Sequence, residues 1–312
     1  MAGLILGALL ALTVADGAQQ SPPPPPPAVV ARQDDAPVQI EDVVVSGRSM
    51  QDQARTFVGK VSAPPPGMAL ARWHRSVCIG VANLQPEYAQ QIIDRVSAVA
   101  LSLDLVIGQP GCKANVMIVA SDQASAFTQR MVSDEPFNFR PARSMTDLGG
   151  TALRAFENST APVRWWHVAM PVNVDTGDRA VRLHGETDPP VVAVRGASLL
   201  VGSTRNDLSH VVIVVDVHQV RGISIDVLSD YIAMVAMAQI DPEVDLSGQS
   251  SILNLFSNSE RVSHMTDWDV AYLRALYSAR QDRAVVTHQT REIANTMVEG
   301  IGAASEAPAP HP

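Results

Sequence analysis

The sequence predicts a single α+β domain over residues 67–301, with a mixed sheet in its first two-thirds and helices at its C-terminal end. Three observations carry that expectation. Short β-branched runs separated by turn signals crowd residues 75–216, and one of them, His210–Asp216, is apolar on both faces, as a strand covered on two sides must be. Beyond Gly222 the chain reads as helical to its end, opening with an almost wholly apolar helix. Proline-dense, loop-like segments bound the region: Pro22–Pro27 and Pro64–Pro66 before it, and the tail 302–312 after it.

The elements follow in order. Arg75–Val81 alternates and reads as a strand. Pro86 opens a helix, a position proline suits because its missing N–H has no intrahelical partner there. Ala89, Ile92, Ile93, Val96, Ala100 and Leu103 mark its buried face. A turn at Gln109–Cys112 leads to an apolar strand, Asn115–Ala120, and Asp122 is a candidate cap for a helix through Met131. Val163–Val174 reads as a strand, with Asp175-Thr176-Gly177-Asp178 as a turn returning through Val181–Leu183. Strands at 191–194, 198–202 and 210–216 come next, then a helix from Asp226, one over Asp267–Tyr277 and one over 288–300.

The chain opens with a short uncharged apolar run, residues 1–15, ending in small side chains. It falls short of the roughly 20 apolar residues of a membrane-crossing helix and fits a secretory signal peptide over 1–18, cleaved after Ala15 or Ala18. Against this, no Lys or Arg precedes the run, so retention as an anchor stays open. No transmembrane helix remains after cleavage, and a periplasmic or secreted destination follows. Residues 19–66 read as a proline-rich disordered linker. With 23 basic and 32 acidic side chains the formal charge is −9, which repels nucleic acid, and no basic patch offsets it. Cys78 and Cys112 would pair in an oxidising compartment; two separately buried thiols are the alternative.

Within the linker, Val38–Arg48 resembles the short segment that overlaps the TonB box of exported Gram-negative receptors; an added edge strand or disorder is the alternative. Arg72-Trp73, Val77-Cys78, Gly111-Cys112, Asn115-Val116 and Asp230–Met234 resemble segments shared by exported bacterial proteins, a likeness that implies no activity. The stretch Asp226–Tyr277 is more specific. An apolar helix is followed by Ser251-Ile252-Leu253-Asn254 and then a helix carrying Asp269, Leu273, Leu276 and Tyr277. This order resembles the C-terminal half of zincin metallopeptidases, in which a metal-binding H-E-x-x-H helix precedes a tight Ser-Ile-Met turn. The resemblance implies a zincin-like scaffold without its metal, because Asp230, Tyr231 and Met234 stand at the ligand and base positions and Ile240 at a third ligand position. A catalytic zinc needs about three imidazole or carboxylate ligands plus a water, and this set cannot supply them. The plain reading of the same helix is a core element.

No G-x-S-x-G, G-x-G-x-x-G or G-K-[ST] motif is present. His210 and His218 lie roughly 25 Å apart if extended, too far to share an ion. The sequence therefore points to a non-catalytic exported protein that acts by binding a protein or envelope partner, with no cofactor and no metal. Two alternatives stand beside it. One is a hydrolase with an unconventional site around Asp230, Asp216 and His264. The other is an envelope interaction module that uses the proline-rich arm. Arg164-Trp165-Trp166-His167 is the densest aromatic cluster, explained by alternate burial along a strand or by a ligand-stacking platform.

Overall fold

In the computed structural model, residues 49–192, 201–257, 262–283 and 285–306 are described. Four strands form one mixed sheet: β1 Ile79–Ala82, β2 Val116–Ser121, β3 Val163–Asn173 and β4 Thr204–Asp216, in the spatial order β1-β2-β4-β3. The first three in that order run parallel, and β3 lies antiparallel to β4 at the edge. Parallel neighbours need a crossover connection, and α2 (Pro86–Ser102) supplies the one between β1 and β2.

Side-chain alternation along β2, β3 and β4 divides the apolar residues between two covered faces. Against one face lie α1 (Met50–Val61), α2, α6 (Ile225–Met237), α7 (Asp267–Ser278) and α8 (Val286–Glu306). They share a large core with Ile118, Val163, Trp165, Val211, Ile213 and Val215. Against the other lie α3 (Ala124–Asp134), α4 (Pro136–Phe139) and α5 (Gly150–Glu157), around Trp166, Val168, Val212 and Val214. The chain is thus a mixed α/β domain with a four-stranded sheet and, among the described residues, eight helices.

Several elements differ from the sequence expectation. The fold reaches back before Met68: α1, inside the stretch read as linker, buries Ala54, Phe57, Val58 and Val61. Its flanking prolines lower the apparent order of a segment whose helical face is apolar. Asp122 does not cap α3, whose N-cap is Gln123 without a side-chain bond. The turn at Asp175–Asp178 forms, with Gly177 at φ 75°, but the return is limited to one bridge, Val172–Arg179, and no strand follows over Val181–Leu183. Arg164, Trp165, Trp166 and His167 are all buried, not alternately so, because β3 is covered on both faces. Of the strands read at 191–202, residues 193–200 lie outside the described residues, as do the signal peptide, Val38–Ile40 and the rest of the segment up to 48, and the C-terminal tail from 307.

Cys78 and Cys112 are joined by a disulfide that ties the entry of β1 to the turn before β2. This crosslink is consistent with an oxidising compartment. Gly108 packs against it so closely that a Cβ there would lie 2.5 Å from Cys112 Sγ. No helix among the described residues is long and apolar enough to cross a membrane.

Candidate functional site

The residues at issue sit on α6. Ser224 caps its start, its hydroxyl accepting the Val227 N–H at 3.3 Å. Every residue from Leu228 to Met237 is buried, because the helix is enclosed by α2, the sheet and the turn at Ile252–Asn254. A helix end leaves carbonyls without intrahelical donors, and burial makes each one expensive to leave bare. Here three side chains from distant segments supply the donors. His167 Nε2 donates to Val235 O at 2.8 Å, Trp73 Nε1 to Ala236 O at 2.8 Å, and the Tyr277 hydroxyl to Met237 O at 2.9 Å. A carbonyl can only accept, so His167 carries its proton on Nε2. Burial holds this imidazole well below its ordinary range, to about 4, which keeps it neutral.

Asp230 faces α2. The Arg95 guanidinium donates to one carboxylate oxygen, and the Met265 N–H to the other at 2.7 Å. Tyr231 packs its ring between Trp165 and Phe256, with centroids 6.1 and 5.0 Å away. Burial raises its phenol above the usual range, so it stays protonated and offers no phenolate to act as a base. Met234 is fully enclosed, and Ile240 is likewise buried, its carbonyl accepting from Trp165 Nε1 at 3.0 Å. These four positions do not fit a catalytic zinc: one carboxylate is already satisfied, and the remaining side chains are a phenol, a thioether and an alkyl group packed in a core.

Beneath α6, Ser251 Oγ donates to Asp269 at 2.6 Å and Ile252 N at 2.7 Å. Asp269 also accepts the Thr266 N–H at 2.9 Å and completes a capping box with Thr266 at the start of α7. The turn, the helix start and the core are thereby locked through one buried carboxylate. Leu253, which stands where a zincin turn has methionine, is buried under the helix.

Asp216, Asp230 and His264 each have separate partners. Asp216, at the end of β4, accepts from His218 N at 3.0 Å and Gln219 Nε2 at 2.9 Å, and lies 3.9 Å from the buried Arg164 guanidinium. His264 is exposed and pairs with the Ser263 hydroxyl at 2.8 Å. Its backbone neighbour Met265 touches Asp230, but none of the hydrogen bonds of the described residues joins one member of the trio to another. Among the described residues, no group of three or more His, Cys, Asp or Glu side chains is placed to hold a metal ion.

Open space lies elsewhere. A groove of about 600 Å³ runs beside β3 and α5, lined by Phe156 and Trp165 together with Ser159, Arg164, Asp241 and Glu243. Another, of about 500 Å³, lies on the far face of the sheet between β2–β4 and α3–α4. Neither is lined by Asp230, Tyr231 or Met234. No protein-family model, curated protein or solved structure matches this chain.

Sequence reasoning passed over Arg95, Trp73, His167 and Tyr277 as partners of α6. The only signal available was indirect: an acid on an otherwise apolar helix needs a cation, and a buried helix end needs donors.

Proposed function

We propose that this chain is an exported, non-catalytic binding protein built on a degenerate zincin-like scaffold. The order of sheet, α6, Ser251 turn and capped α7 supports the scaffold, and the apolar N-terminal run together with the disulfide supports export. One observation carries the non-catalytic reading: the Asp230 carboxylate is fully engaged by Arg95 and the Met265 N–H, while Tyr231 and Met234 serve the core. Each oxygen of this buried carboxylate is already bound to a protein donor, and a metal or a substrate proton would have to compete with that ion pair inside the core. Recognition then falls to the surface, and the groove between α5, β3 and Asp241–Glu243 offers mixed apolar and polar lining for a protein or envelope partner. Incubation of the purified protein with unstructured peptides, with and without a chelator, tests the reading. The expected result is no cleavage in either arm. Cleavage abolished by the chelator would overturn it.

A further inference from the structure

The groove on the far face of the sheet brings together an unusual set of side chains. β2 and β4 run in parallel register with Met117 level with Val212, and His210 lies one two-residue step back on that same face. The two side chains therefore rise from neighbouring strands on one face of the sheet and line one cavity. Met131, half-buried on α3, lines the same cavity of about 500 Å³, whose apolar walls include Phe139 and Val212. Although β2 is an interior strand, Met117 is 42% exposed, whereas Val119, two residues further along the same face, is buried.

The imidazole is already oriented. His210 Nε2 lies 2.7 Å from Asn138 O, and since a carbonyl only accepts, Nε2 carries the proton and Nδ1 keeps its lone pair. A ring nitrogen held through its N–H by a backbone carbonyl is the arrangement that supports histidine as a metal ligand.

Two thioethers are soft donors and a neutral imidazole suits copper, a set that favours Cu(I) over oxygen-seeking dications. Glu135 is the one carboxylate lining the cavity, and the Lys113 ammonium on the same lining offsets its charge. A hard dication would find little here, whereas a monovalent soft ion needs no net negative charge. We propose that Met117, Met131 and His210 form a binding site for a soft monovalent cation, Cu(I) in chemical class. The site lies across the sheet from α6 and does not depend on the zincin-like reading.

Titration of the full chain with Ag(I), a redox-inert ion of the same charge and softness, and with Cu(I) kept reduced by ascorbate, each against a chromophoric chelator, tests the assignment. One equivalent of each should bind. Met117→Leu, Met131→Leu and His210→Gln should each weaken binding at least tenfold, with thermal unfolding near that of the parent. Met145→Leu, an exposed methionine outside the cavity, should change nothing. Absence of one-equivalent binding, or equal binding by all four variants, overturns the proposal. Should a cavity variant fail to fold, X-ray absorption of the loaded parent decides instead: sulfur and nitrogen in the inner shell are expected, and a shell without sulfur is contrary.

Discussion

Arg95 on α2 and Asp230 on α6 form an ion pair of unequal burial: the guanidinium side chain is 44% exposed, the carboxylate 6%. The two partners therefore do not contribute alike. Removing the carboxylate frees a guanidinium that water can reach, whereas removing the guanidinium strands a buried charge with one N–H donor.

Arg95→Met should accordingly destabilise the fold more than Asp230→Asn. Severing a buried pair costs about 3–5 kcal/mol, and the exposure of Arg95 screens that to about 2 kcal/mol here. Asp230→Asn keeps an oxygen for the Met265 N–H and should cost about 1 kcal/mol. Urea midpoints at constant slope give both values; the reverse order would show that α6 is not held by this pair.

His167 makes the fold sensitive to acid. Its folded-state pKa is depressed from 6.5 to about 4, so between those values the unfolded chain binds more protons. Stability therefore falls as pH drops through that window, by roughly 3 kcal/mol when complete. Gln at this position keeps an N–H for Val235 O without titrating. Urea melts from pH 7 to pH 4 should lose less stability in His167→Gln than in the parent. Parallel pH profiles would refute the assignment.

The capping network is expected to be stiff. Asp269→Asn offers one acceptor oxygen in place of two and should cost about 2 kcal/mol, and Thr266→Ala about 1 kcal/mol. Because the two residues share hydrogen bonds, the double variant should cost less than the sum. Strict additivity in unfolding free energies would contradict a shared network.

The disulfide closes a separation of 34 residues, which in a chain-entropy treatment stabilises the fold by about 3.5–4 kcal/mol. Replacing both cysteines by alanine should lower the unfolding free energy by up to that amount. Gly108→Ala should destabilise the oxidised protein and have a smaller effect without the crosslink, because its Cβ would meet Cys112 Sγ. Thermal melts of the four combinations read out the coupling.

What was legible in the sequence is local. The apolar run of α6, the Thr266–Asp269 cap and the two-faced strand at 210–216 follow from neighbouring residues alone. The hidden part depends on segments far apart in the chain. Arg95 and Asp230 are 135 positions apart, and the donors to the end of α6 come from residues 73, 167 and 277. α1 was masked by its proline-rich neighbours although Phe57 is fully buried. Alternation failed at Arg164–His167 because it signals one covered face, and β3 has two. As for the site, the empty ligand positions could be read from residue types, but whether Asp230 faced a cleft or a cation depended on packing.

Zinc content is the direct test of whether α6 is a structural helix. Elemental analysis of the chain, purified without chelator from zinc-supplemented medium, should find far less than one zinc per molecule. One tightly held zinc per chain, lost together with the fold of α6 on Asp230→Asn, would contradict a helix committed to the core.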